Sequence, residues 1–218
     1  MLLLNLYYLP PIEWFAYYVN AESIYIEACE NYQKRSFRNR CYITGADGVQ
    51  RLSIPLMSGK HSRKMYKEVE ISYSEKWVRD HWKSLCTSYR SSPYFEYYES
   101  QFSVFYKEDG YKSLFSLNSD LLSLLLKILK IDKKHIFTES YKNNYPDEYS
   151  DLREKINPVE FKKKIVKKGD SKPYYQVFND RNGFVPDLSI VDLIFNEGPS
   201  AIQYLKSYPV SKLKLNNS

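Results

Sequence analysis

The chain has 218 residues, 43% hydrophobic and 27% charged, which suits one domain with a real core and excludes a disordered segment. Its formal net charge is +6, with acidic residues spread throughout, so it lacks the dense basic footprint of a dedicated nucleic-acid binder. The anionic partner this charge implies is therefore small, a phosphate or a carboxylate.

In chain order, "LLLNLYY" from Leu2 is an apolar run of strand length. "LPPIEWFAYYVNA" follows, with a proline near its first turn and Ile12, Phe15, Ala16 and Val19 at helical spacing. "SIYIEA" puts Ile24 and Ile26 on one face of a second strand. Together these predict a β-α-β unit with two parallel strands. The N-terminal apolar stretch has no basic leader or small-residue cleavage site, and Pro10, Pro11 and Glu13 interrupt it. It is thus read as neither a signal peptide nor a membrane span.

"ENYQKRSFRNRC", Glu30 to Cys41, leaves the end of the second strand. Three of the nine arginines (Arg35, Arg38, Arg40) fall in these twelve residues, in a chain that otherwise prefers lysine. "RCYITGADGVQRLSIPL" predicts a hairpin turning at Gly45-Ala46-Asp47-Gly48. "MSGKHSRKMYKE" reads as a polar loop and "VEISY" as an edge strand. Ser72-x-x-Glu75 matches a capping box opening a helix over "EKWVRDHWKSLCTSYR". "SPYFEYYESQFSVFYKE" predicts a second helix. "NSDLLSLLLKILKI" predicts a third, capped by Asn118 or Ser119. "KHIFTES" returns to a strand, and residues 140–172 read as a polar surface segment or flexible insertion. "FVPDLSIVDLIFNEG" and a short helix close the fold, with 211–218 as a tail. The expectation is a single α/β domain over 1–210. Its β-α-β unit and hairpin share a mixed sheet, packed by the three mid-chain helices.

In a β-α-β unit the loops at the carboxyl ends of the strands carry ligands. Here those loops predict an anion pocket from Tyr8, Glu27, Asn31, Gln33, Lys34, Arg38, Asn39 and Arg40. Arginine holds carboxylate or phosphate bidentately, which lysine does not. The competing reading is that some of these arginines pair with core carboxylates and the rest are solvated. His81 shares a helix face with Trp77 and Leu85. It is either an acid/base group facing the pocket or a packed histidine. Glu27 is the other acid/base candidate. Cys29, Cys41 and Cys86 form no CxxC pair, and three separated histidines show no zinc spacing. No GxGxxG or P-loop occurs, so no cofactor is expected. The free cysteines read as small buried hydrophobes in a reducing cytoplasm. Lys162 to Lys168 reads as a solvated face.

"YLPPIEWFAYYVNAESIYIEACENYQKRSFRNRCYI", with "LSIPL", "WVRDHW", "SPYFEYY" and "FVPDLSIVDLIFNEGP", resembles the bacterial WbqC-like proteins over nearly the whole chain. Many of these open with a His-Gln-Pro-x-Tyr-x-Pro segment. This chain has Asn5-Leu6-Tyr7-Tyr8-Leu9-Pro10 there, without the histidine and glutamine. Tyr8, Pro10, Gln33-Lys34, Asn39-Arg40 and His81 match. The resemblance implies a cytoplasmic bacterial protein of surface-polysaccharide (O-antigen) biosynthesis, acting on sugar-nucleotide or acyl donors. The implied activity is that of a metal-independent small-molecule transferase, the alternative being a non-catalytic binding or assembly protein. The resemblance transfers no catalytic residue.

Overall fold

The computed structural model describes residues 1–57, 64–107, 110–167 and 172–210. Strand β1 (Leu2–Asn5) is buried along its whole length, as an apolar strand covered on both faces must be. The chain turns at Leu9, whose φ of 42° is left-handed, and enters α1 (Ile12–Asn20) through Pro11. Six of the nine α1 residues are buried, too many for a surface helix, and Trp14 Nε1 donates to the Asn5 carbonyl at 2.9 Å. Strand β2 (Ile24–Glu27) then pairs parallel to β1, with Leu4 opposite Ile26 and Asn5 opposite Glu27. The predicted β-α-β unit is present.

The hairpin is also present, as β3 (Arg40–Gly45) and β4 (Gly48–Ser53). Gly48 has φ 101°, a backbone that glycine adopts without strain. The hairpin forms its own two-stranded sheet instead of joining the first one. The larger sheet is instead completed by β5 (His135–Phe137) beside β2 and β6 (Ser150–Asp151) beside β1, both parallel. The order β5-β2-β1-β6 leaves no place beside β1 or β2 for the hairpin.

The mid-chain helices are α2 (Trp77–Tyr89), α3 (Phe95–Ser103) and α4 (Leu114–Ile128). Helix α2 packs on β3, and both α2 and α3 pack on the later helix α7 (Ile190–Glu197). Phe195 is the hub, with Tyr89, Phe95 and Phe102 rings 5.1–5.2 Å from its own. Two predicted caps are not used. Helix α4 starts earlier, on Ser113, whose side chain accepts from the Ser116 N–H. That leaves Asn118 buried inside the helix. Ser72 and Ser74 hydroxyls pair with each other, and α2 opens at Trp77 without a side-chain cap.

The "VEISY" stretch makes isolated bridges, Glu70 to Ser113 and Leu56 to Ile71, rather than a strand. The polar segment 140–172 contains β6 and α5 (Pro158–Lys167), the latter anchored by buried Phe161. A short α6 (Asn179–Asn182) precedes α7, and α8 (Ala201–Ser207) closes the fold against α1. Gly198, at φ 51°, ends α7. His61, Lys168 and the 211–218 tail lie outside the described residues.

Candidate anion-binding cleft

The parallel pairing puts Asn5 and Glu27 side by side at the carboxyl edge of the sheet. The loop after β1 reaches the loop after β2, since the Tyr8 N–H donates to the Phe37 carbonyl at 3.0 Å. So far the sequence reading holds, but this edge is filled by ion pairs. Arg38 is 2% exposed and grips Glu30 bidentately, Nε to Oε1 at 2.7 Å and Nη2 to Oε2. The Tyr7 and Tyr66 rings flank the guanidinium at 5.8 and 5.9 Å. Burial raises the Glu30 pKa, and Arg38 opposes that rise. Burial also acts to lower the Arg38 pKa, and Glu30 more than reverses it.

Glu27 is fully buried and accepts from the Cys29 N–H at 2.8 Å, Thr138 Oγ1 at 2.6 Å and Arg153 Nη1 at 3.1 Å. Arg153 also binds Asp151 and the Lys142 and Asn143 carbonyls. Glu27 and Arg38, expected on the pocket, thus face each other's neighbourhood inside the protein. A buried charge has to find a partner, and each of these has one.

The open cleft lies one layer out, where the loop after β2 meets the hairpin. It encloses about 460 Å³. Lys34, Arg35, Arg40 and Arg51 line it, against one carboxylate, Glu75. Among the described residues none of these four cations has an ion-pair partner. Tyr32, Asn39 and Ser53 add polar groups, and Ile54, Pro55 and Leu56 add apolar surface. Arg35 holds a left-handed backbone, φ 59°, which a side-chain-bearing residue adopts only under constraint from its surroundings.

The hairpin register builds this wall. Arg40 sits opposite Ser53 and Tyr42 opposite Arg51, so Arg40, Ser53 and Arg51 share one face. Asn39 extends the ladder by a residue: its carbonyl accepts from the Ile54 N–H at 2.8 Å and its Nδ2 donates to the Ile54 carbonyl at 2.9 Å.

Tyr8 and His81 do come together, Oη to Nδ1 at 3.0 Å, with Tyr106 Oη 2.9 Å from Tyr8 Oη. Both are buried, and neither lines the cleft. The Ser53 backbone beside the His81 ring acts to raise its pKa, against the larger effect of burial. Burial lowers the His81 pKa to about 4, so the ring is neutral around pH 7. The structure therefore joins Asn39 with Arg40 and Tyr8 with His81, and Ser53 stands between the two pairs. Lys34 lines the cleft, while exposed Asn31 and Gln33 do not.

Arg51 and Ser53 escaped the sequence reading, though the signal was there. A turn pairing Gly45 with Gly48 fixes Arg40 against Ser53, and Arg51 then falls two residues away on the same side. Cys41 is buried, and burial pushes its thiol well above the usual range, away from nucleophilic character. In α5, Lys164 turns inward to Glu13 and Asp187 at 2.7 and 2.9 Å, which interrupts the exposed lysine run.

Residues 6–160 match the WbqC-like protein family. The chain is also similar to "Uncharacterized protein Rv1507c" of Mycobacterium tuberculosis (strain ATCC 25618 / H37Rv). That protein is 24% identical over 198 aligned residues, covering 80% of this chain and 84% of the relative. No solved structure matches the chain. No described helix is long and apolar enough to cross a membrane.

Proposed function

This chain belongs to the WbqC-like protein family, and from that premise we propose that it binds a phosphate- or carboxylate-bearing small molecule in the Arg40–Arg51 cleft. We further propose that it acts on this molecule as a small-molecule transferase, serving surface-polysaccharide or related biosynthesis in the bacterial cytoplasm. The observation that carries the reading is the charge of the cleft: four cations without ion-pair partners among the described residues face a single carboxylate. Guanidinium groups lining one cleft can hold a phosphate and stabilise the charge that grows on it as it leaves a donor. Glu75 is the carboxylate placed to touch an acceptor group there. His81 acts through Ser53, as a positioning residue.

A non-catalytic binding protein of the same pathway is the second reading. It is favoured by the cover over His81 and Glu27, the two acid/base candidates, at 5% and 0% exposure.

The test is a thermal-shift screen against phosphate-, sugar-nucleotide-, acyl-donor- and carboxylate-bearing compounds, with Arg51→Ala alongside. Arg51 is exposed, so its loss leaves the fold intact. Ligands of the folded state raise its melting temperature by mass action. The expected result is a shift with phosphate-bearing compounds that shrinks in the variant. No shift with any anion, or one untouched by Arg51→Ala, refutes the cleft. A bound donor returned intact in the presence of acceptors decides for the second reading.

A further inference from the structure

The cleft wall contains an acceptor that an ionised phosphate group cannot satisfy. Asn39 Nδ2 faces the Ile54 carbonyl at 2.9 Å, and only the nitrogen side of an amide donates to a carbonyl. That fixes Oδ1 as an acceptor. It is buried and has no hydrogen-bond partner among the described residues. Arg40 Nε and Ser53 Oγ, on the same wall, are also buried without partners. Eight such groups occur among the described residues, and these three lie on neighbouring positions of one cleft, where an outside partner could meet them together.

A phosphate meets the donor requirement of Arg40 Nε. It offers nothing to Asn39 Oδ1, because a fully ionised phosphate ester only accepts. Oδ1 needs a hydroxyl or amine donor, and Ser53 Oγ exchanges hydrogen bonds with a hydroxyl in either direction. Pro55 and Leu56 supply apolar surface for a carbon skeleton, and about 460 Å³ is the size of a small-molecule site.

Resting on the anion-binding reading above, we infer that the ligand is a phosphate ester that carries free hydroxyls, a phosphorylated polyol of the sugar phosphate class. Its phosphate lies on Arg40 and Arg51, and one of its hydroxyls donates to Asn39 Oδ1 while accepting from Ser53 Oγ. The three wall atoms are covered, so a ligand that bonds them has to uncover them on binding.

The experiment is calorimetric titration of the full chain at pH 8, where a phosphate monoester has lost its second proton. The probes are methyl phosphate, glycerol 3-phosphate, a set of hexose 1-phosphates and a nucleoside diphosphate hexose. Methyl phosphate brings the charge without a donor. At least one hydroxylated ester is expected to bind about tenfold or more tightly than methyl phosphate. Ser53→Ala, which removes one hydroxyl and keeps the backbone beside His81, is expected to cut that advantage severalfold. A tenfold gain for the diphosphate hexose but not for the hexose 1-phosphates assigns the nucleotide-linked source of the same chemistry. Methyl phosphate binding as tightly as every hydroxylated ester overturns the inference and leaves the anion site standing. An advantage unchanged in Ser53→Ala overturns the placement of the hydroxyl. If no phosphate compound binds, this inference falls and the anion-binding reading is left to carboxylates alone.

Discussion

Replacing His81 with glutamine removes a titrating group and keeps a side chain of similar polarity. The histidine is buried, and burial holds its pKa at about 4 in the folded protein. In the unfolded chain it returns to about 6.5. Between these values the unfolded state binds a proton that the folded state does not, so stability falls as pH falls from about 6.5 to about 4. A gap of about 2.5 pH units, at about 1.4 kcal/mol per unit, amounts to about 3.5 kcal/mol, of which about 3 kcal/mol is lost by pH 4, where the folded group is half protonated.

Asp192 works in the opposite sense. Burial raises its pKa to about 6, although Tyr89, Tyr174 and Gln176 all donate to it. As pH falls through about 6 toward the usual carboxyl range near 3.9, the folded state takes up the proton first and gains stability. The two effects offset each other in the native chain and hide both. The assay is therefore a difference, in denaturant unfolding of native and His81→Gln proteins at pH 4 to 8. Asp192 and every other carboxyl cancel in it. The native protein's advantage is expected to be constant above pH 7 and to shrink by about 3 kcal/mol on going to pH 4. A difference that does not change with pH refutes the claim that His81 is held neutral by burial.

Arg38→Ala leaves Glu30 buried without its guanidinium, and the expected loss is about 3–5 kcal/mol. In denaturant titrations the double variant with Glu30→Ala should lose less than the sum of the singles, and additivity would refute the pair. Gly198→Ala is expected to lower the melting temperature markedly. The added Cβ would stand 2.5 Å from Tyr94 Cδ1, at a φ of 51° that alanine resists. Tyr94→Ala in the same chain should recover the part due to the clash, and no recovery would assign the whole loss to the backbone.

The sequence disclosed those features whose causes are local. Apolar runs and a proline entry gave β-α-β, and the Gly-Ala-Asp-Gly turn gave the hairpin and its register. Pairing across distance was not legible. Nothing near Glu27 points to Arg153, 126 residues away. Helix α4 had a hydroxyl cap at Ser113, but Asn118 looked like a better cap, and only tertiary contact shows why it is not one. Its Nδ2 donates to the Arg38 carbonyl at 2.8 Å and to Tyr66 Oη at 2.6 Å, so it is a core group that ties the arginine loop to α4. Residues 140–172 looked polar because α5 packs only Phe161 and Ile165 against the core among many charged residues, while its Val159 and Val166 are exposed. Within the arginine stretch, composition alone did not show which residues turn inward.

That division explains why this short stretch uses arginine. Arg38 needs a planar fork to meet both Glu30 oxygens in the core, and a lysine there would satisfy only one. The carboxyl edge of a parallel sheet is the usual ligand crevice. Here Arg38 with Glu30, and Arg153 with Glu27 and Asp151, set two cations against three carboxylates and use their donors. A hydrogen-bonded network with no cation to spare has little attraction for an anion. The cations without ion-pair partners are set one layer further out, where the hairpin supplies Arg40 and Arg51 and the loop supplies Lys34 and Arg35. The loop after β1 contributes support: Tyr106 and Tyr8 stand behind His81, and His81 stands behind Ser53. A ligand on Ser53 would thus lie next to the His81 ring, which Tyr8 and Tyr106 support from behind by hydrogen bonds. Changes at Tyr8 or Tyr106 should alter binding without touching the ligand.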